Sequence, residues 1–375
     1  MKIGVPTEIK SQENRVAITP AGVHHLTQRG HQVLVQAAAG TGSAISDDDY
    51  RTAGATIVET AADVWGEADL LLKVKEPIAA EYDRMRAGQT LFTYLHLAAS
   101  RPCTDALLKS GTTSIAYETV QTANSDGSVA LPLLAPMSEV AGRLSAQVGA
   151  YHLMRTQGGR GVLMGGVPGV APAKVVVIGG GMAGDNAAAV AWGMGAHVTV
   201  FDLNVNTLRK IDAEYGGAIE TRYSSRLDLE DAVKQADLVI GAVLVPGAKA
   251  PKLVTNETVA QMKPGAVLVD IAIDQGGCFE DSKPTTHDNP TFNVHNAVFY
   301  CVANMPGAVP RTSTYALTNA TMPYVLKLAD KGWQGACFAD PALAKGLSTH
   351  QGELLNAEVA HDLDLPYTDP AGLLA

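Results

Sequence analysis

The chain has 375 residues, 46% hydrophobic and 18% charged, long enough for two domains that each bury a core. Its 37 Gly and 19 Pro stand against 3 Trp, 11 Tyr and 6 Phe, a balance that suits a turn-rich α/β protein and excludes disordered, collagen-like and disulfide-scaffold classes. A net charge of −10 without a long Lys/Arg run argues against nucleic acid as a partner. Cys103, Cys278, Cys301 and Cys337 form no CxxC pair, which argues against a structural zinc site and for reduced thiols. The N-terminus lacks the apolar stretch of a secretory signal. The longest uncharged run, Asn289 to Pro310, is too rich in Asn and Pro to span a membrane. The expected compartment is the cytoplasm.

Apolar and β-branched runs predict strands at Ile3–Val5, Gln32–Val35, Leu70–Val74, Leu91–Leu95 and Ser114–Tyr117. Thr19–Arg29 reads as a helix, capped by Thr19 with Pro20 in its first turn. The alternation of β and α predicts a mainly parallel, helix-covered sheet. Thr122–Gly127 is polar and turn-like, and Pro132 and Pro136 punctuate the chain. Ser138 is the expected N-cap of a long helix over Glu139–Arg155, with Ala141, Leu144, Val148 and Tyr151 at helical spacing.

After a glycine-rich connection through Gly169, strands are expected at Lys174–Ile178, His197–Phe201, Ile219–Arg222, Leu238–Val243, Ala266–Ile271 and Val298–Val302, with turns at Gly247 and Pro264-Gly265. Ser313–Asp330 predicts a helix bent at Pro323. Long helices on either side of the middle region suggest that the two ends of the chain pack together. The expected architecture is α/β, with residues 1–132 and 311–375 forming a discontinuous domain and 133–310 a second domain inserted into it. Hinge closure is expected near Pro132–Ser138 and Met305–Thr312.

The run Val175–Ile178 leads into Gly179-Gly180-Gly181-Met182-Ala183-Gly184 and an Ala-rich helical stretch. This is G-x-G-x-x-G in its strand–turn–helix setting, the mark of a Rossmann-like dinucleotide domain. Gly179 allows the tight turn, Gly181 lets a pyrophosphate near the backbone, and Gly184 permits close packing of helix on strand. Met182 and Ala183 supply backbone N–H groups at the helix N-terminus. The next strand ends in Asp202. An acid there can accept from the adenosine ribose and repels a 2′-phosphate, so NAD is expected rather than NADP. Asp185 is out of character beside a phosphate, and its side chain is expected to point away.

Ligands of open α/β sheets collect beyond the carboxyl ends of the strands. Arg15, Lys75, His96 and Asp274 all sit at such ends. His96, between Leu95 and Leu97, reads equally well as a packed core histidine. Lys75 and Arg15 also read as surface cations, and Asp274 as a loop cap. No His/Cys/Asp/Glu cluster has metal-ligand spacing, so no metal is expected.

Several segments resemble bacterial L-alanine dehydrogenases. They are Met1–Lys10 with Arg15-Val-Ala-Ile-Thr-Pro20, Lys73-Val-Lys-Glu-Pro77, Phe92–Ala98, Gly158–Pro168, Gly241–Gly247, Val269–Gly277 and Asn304-Met-Pro306. They run through nearly the whole chain in family order. The resemblance implies reversible NAD-dependent oxidative deamination of L-alanine to pyruvate and ammonia, by a homohexamer. It implies substrate binding by Arg15 and Lys75 and acid/base work by His96 and Asp274. It further implies that Ser138, Asp202, Ser224, Val243, Leu244, Ile271–Asp274 and Val302–Met305, Asn304 included, line the cofactor. The chemistry is compatible: a guanidinium can grip a carboxylate at two points, and deamination moves protons at N and O, work that suits a histidine and a carboxylate. Two alternatives are the NAD-binding module of a proton-translocating transhydrogenase, for which downstream membrane helices are expected, and a silent NAD-binding regulator.

Overall fold

In the computed structural model, which describes residues 1–123, 129–243 and 250–374, the chain forms two compact units. One comprises Met1–Met137 and Val309–Ala375, the other Ser138–Ala308. The strands, in chain order, are β1 (Lys2–Val5), β2 (Gln32–Gln36), β3 (Thr56–Val58), β4 (Leu70–Leu72), β5 (Thr90–Thr93), β6 (Thr113–Ala116), β7 (Thr122–Ala123), β8 (Val129–Ala130), β9 (Lys174–Ile178), β10 (His197–Asp202), β11 (Glu220–Tyr223), β12 (Leu238–Gly241), β13 (Val267–Asp270), β14 (Thr291–Val294), β15 (Ala297–Tyr300), β16 (Leu347–His350) and β17 (Glu353–Leu354).

The described residues of the first unit form a sheet in the order β17-β16-β6-β5-β4-β1-β2-β3. Strands β1 to β6 run parallel in the doubly wound order, and β16 and β17 add an antiparallel edge. The second unit repeats that order as β11-β10-β9-β12-β13-β15-β14, with β14 antiparallel to β15. Both are therefore α/β sheets whose chain order reverses beside the first strand: between β1 and β4, and between β9 and β12. Continuous apolar strands such as β4 and β9 are needed because helices cover both faces. Trp65, Leu71, Leu91 and Leu107 belong to one core cluster, and Val176, Val239, Leu268 and Phe299 to another.

Several boundaries differ from expectation. β4 and β5 stop before Val74 and Leu95 because those N–H groups turn to the carboxylates of Glu8 and Glu118, at 2.6 and 3.1 Å. Ser138 is not an N-cap. The helix runs over Ala135–His152, so Ser138 lies inside its first turns; Pro136, with its fixed φ and missing N–H, starts this helix instead of stopping short of it. The late helix spans Pro310–Ala339, and its non-helical residue is Gly332, with φ 70°, not Pro323. A glycine adopts that angle without a Cβ clash. The expected turn at Gly247 lies outside the described residues.

Candidate active site

Three of the predicted residues leave neighbouring strands of the first unit: Arg15 follows β1, Lys75 follows β4 and His96 follows β5. They share the end of the sheet beside its order reversal, where open α/β sheets bind ligands. Arg15 is buried, with 2% exposure. An uncompensated guanidinium there would cost several kcal/mol. Glu13 provides the counter-charge: Arg15 donates from Nε at 2.6 Å and from a terminal nitrogen at 2.5 Å to the two carboxylate oxygens. Its other terminal nitrogen contacts Met137 Sδ at 3.1 Å. Burial pushes Glu13 up, but the hydrogen bonds and charge of Arg15 outweigh it and hold the carboxyl below its usual range.

Lys75 is held through its backbone. Its N–H donates to Glu8 at 3.4 Å and its carbonyl accepts from Thr93 at 3.0 Å. Beneath it Lys73 is fully buried between Glu8 and Glu81, at 3.0 and 2.9 Å. Glu8 therefore holds Lys73 with one oxygen and the amides of Val74 and Lys75 with the other. Glu76 pairs with Lys10. Although burial raises it, Lys10, Lys75 and His96 together lower the Glu76 carboxyl. The charge of Lys75 also lowers Glu13, the partner of Arg15. Electrostatics thus ties Arg15, Lys75 and His96 into one group.

His96 is exposed, which rules out a packed core histidine. Its backbone is left-handed, φ 49° and ψ 41°, a conformation costing about 1–3 kcal/mol outside glycine. Glu118 accepts its N–H at 2.6 Å and that of Leu95 at 3.1 Å, fixing the turn. The imidazole stacks on Tyr94, 5.9 Å between centroids and 9° from parallel. Tyr94 is itself buried and donates to the Leu133 carbonyl at 2.5 Å.

The second unit carries the glycine loop. Gly179 has φ 95°, and a Cβ on Gly184 would lie 1.7 Å from the Gly179 oxygen. A Cβ on Gly181 would meet nothing within 4 Å, so the approach to its backbone is open. Gly142 of the helix Ala135–His152 sits so close that a Cβ there would be 2.1 Å from the Ala183 oxygen. Ser138, one turn earlier, lies on that same helix face. Met182 and Ala183 open the helix Met182–Gly193. Asp202 accepts from the Gly180 N–H and the Asn204 N–H, both at 2.7 Å, and its main-chain carbonyl accepts from Ser224 at 3.0 Å. Asp185 points away from the glycine loop, taking the Tyr215 hydroxyl at 2.9 Å and the Lys210 ammonium at 3.4 Å.

Val243 follows β12 and packs on the second unit's core; Leu244 lies outside the described residues. Ile271 and Asp274 lie in a short 3-10 helix over Ile271–Gln275, with Asp274 exposed. Val302 and Met305 are buried, whereas Asn304, left-handed at φ 65°, keeps some exposure. Among the described residues no group of three His, Cys, Asp or Glu could hold a metal, and no helix is long and apolar enough to cross a membrane.

Sequence reasoning missed the residues beneath these: Glu8, Glu13, Lys73, Glu81, Glu118 and Asp270. The one signal was a charge inside an apolar run, as at Asp270 in Val267-Leu-Val-Asp-Ile-Ala-Ile273.

The description of alanine dehydrogenase/PNT N-terminal domains matches residues 4–141, and that of the C-terminal domains residues 145–357. An alanine dehydrogenase of Mycolicibacterium smegmatis is 79% identical over 375 residues, covering all of both chains. A solved L-alanine dehydrogenase superposes with a TM-score of 0.93 at 52% identity, covering 97% of this chain and 99% of that one. A transhydrogenase from Sinorhizobium meliloti reaches 0.79 at 26% identity, covering 95% and 99%. With both family domains matched in order and the likeness running end to end, the chain belongs to the alanine dehydrogenase/PNT family.

Proposed function

We propose that this chain catalyses the reversible oxidative deamination of L-alanine to pyruvate and ammonia, with NAD as the hydride acceptor. The carrying observation is the placement of Arg15, Lys75 and His96 beyond three adjacent strand ends in one unit, in a chain whose other unit carries a dinucleotide loop. Full-length likeness to alanine dehydrogenases points to alanine, and its margin over the transhydrogenase favours the dehydrogenase reading. The reading carries with it a homohexamer and cytoplasmic residence. L-alanine-dependent NADH formation by the purified protein tests it. Absent turnover in a protein that still binds NADH would overturn it.

The glycine loop fits a pyrophosphate, because the space a Cβ would take at Gly181 is open and Gly184 is barred from any side chain. Bound NAD supplies the hydride chemistry at the substrate Cα. Arg15 binds the substrate carboxylate through its guanidinium. Lys75 donates to the carboxylate or keto oxygen and stabilises the charge that grows there. His96 and Asp274 move protons at the substrate nitrogen and oxygen as imine and carbinolamine form and collapse.

Asp202 sets the preference for NAD. Asp202→Ala is expected to narrow the NAD/NADP gap by about 1–3 kcal/mol, the range for a charged hydrogen bond. Because Asp202 also holds the Gly180 amide, NAD affinity itself should fall. Competitive titration of both dinucleotides reads both effects, and an unchanged ratio refutes the assignment.

A further inference from the structure

The 3-10 helix Ile271–Gln275, which carries Asp274, is held at both ends by opposite charges. At its start Asp270 is fully buried and accepts from the amides of Ala272, Cys278 and Phe279 at 3.1, 3.0 and 3.4 Å, and from the Ser282 hydroxyl. Beyond its end the chain reverses through Gly276 and Gly277, with φ 90° and 74°. There Lys252 donates from Nζ to the carbonyls of Gly276, Gly277 and Phe279 at 2.6, 3.0 and 2.9 Å. An ammonium has three N–H donors, and all three are spent on this one loop. A surface lysine ordinarily leaves its head to water; this one is built into the turn. The irregular segment around Lys252 adds backbone bonds, from the Ala250 N–H to the Gln275 carbonyl at 3.1 Å and from the Leu253 N–H to the Cys278 carbonyl at 2.8 Å.

We propose that Lys252 and Asp270 are positioning residues for Asp274, forming a two-charge clamp that fixes the 271–282 loop so that the Asp274 carboxylate is presented in one place. The proposal rests on the assignment of proton transfer to Asp274. The carboxylate accepts from N–H, O–H and S–H groups and the ammonium donates to C=O groups, so the two charges act on opposite ends of the loop's peptides and neither can replace the other. Misplacing a catalytic group by about 1 Å costs on the order of 10²-fold in rate. A clamp on the backbone two to five residues away therefore has a large lever.

The test is Lys252→Met, which keeps the apolar stem and removes the three donors at a site exposed enough for the fold to survive. The variant is expected to lose on the order of 10-fold to 10²-fold in kcat, with little change in KM for L-alanine, since Arg15 and Lys75 are untouched. Deuterium exchange of the Cys278 and Phe279 amides should quicken, while β9 and β12 keep wild-type protection. In an Asp274→Asn background the same substitution should cost no further kcat, because a residue that acts through Asp274 has nothing left to position. An equal loss in both backgrounds overturns the clamp, and so does wild-type exchange in the loop or faster exchange with undiminished kcat. Near-normal kcat in Asp274→Asn alone overturns the reading of Asp274, and the clamp's purpose with it. That result is distinct from a full loss there combined with an additive double variant, which overturns the clamp only.

Discussion

His96→Asn and Asp274→Asn are each expected to lower kcat by at least about 10²-fold, the usual range for losing a general acid or base. Asparagine is the informative replacement at position 96. The His96 backbone is left-handed, and asparagine tolerates that conformation where alanine is strained. A fall in kcat in His96→Asn therefore reports the lost proton carrier and not a relaxed turn. The imidazole is exposed and stacks on Tyr94, so stability should change little. NADH affinity in His96→Asn should match the wild type, because the glycine loop, Asp202 and Asn304 all belong to the other unit. The measurement is steady-state kinetics with L-alanine beside a fluorescence titration of NADH. Near-normal kcat in both variants sinks the acid/base assignment. Lost NADH binding in His96→Asn makes that histidine structural.

The sequence made the outline of this arrangement readable, because period and punctuation are local. Val175–Ile178 followed by the glycine run and then an alanine-rich stretch specifies strand, turn and helix without help from the rest of the chain. The carboxyl ends of strands pointed to Arg15, Lys75 and His96 for the same reason. What stayed hidden depends on contacts across the sheet. The ends of β4 and β5 are set by Glu8 and Glu118, which lie far from Val74 and Leu95 in sequence, so the apolar runs read as longer strands. β14 and the β16–β17 edge are short and half-polar, with no periodicity to mark them. Whether His96 was packed or exposed could not be read from flanking leucines, because the left-handed turn that expels the ring is made by Glu118.

The supporting carboxylates follow one physical rule. A strand that stops to present a side chain leaves amides without ladder partners, and buried amides must be paired. Glu8 takes those after β4, Glu118 those after β5 and Asp270 those after β13. In each place a carboxyl oxygen fills the gap left by the missing ladder partner. Presenting Lys75, His96 and Asp274 on open turns thus requires an acid beside each turn, from another segment for Glu8 and Glu118 and from the strand end itself for Asp270, and those acids tie the chemistry to the stability of each unit.

Lys73→Met should show that tie most severely. Lys73 has 1% exposure and stands between Glu8 and Glu81. Removing the ammonium leaves two carboxylates facing each other in the interior, and breaking a buried pair in this way costs about 3–5 kcal/mol. That is a large part of the about 5–15 kcal/mol that holds a typical domain. The loss should depend on pH with a definite sign. Burial already raises the Glu8 carboxyl even against the attraction of Lys73, and without that cation it rises further. A folded-state value above the unfolded one, near 4.3, means that the folded state takes up the proton more readily. The variant's deficit is therefore smallest in acid and grows as pH climbs through the raised value, so it is largest at neutral and alkaline pH. The wild type retains the Lys73 contribution across that range, because its two carboxylate neighbours outweigh burial and hold the ammonium above its ordinary value. Urea midpoints of wild type and Lys73→Met at pH 5 and pH 8 read this directly. A gap that stays constant, or that widens towards pH 5, refutes the account of Glu8 and Lys73. Since Glu8 also anchors the amides of Val74 and Lys75, the folded fraction of the variant should bind pyruvate more weakly while its NADH affinity is retained.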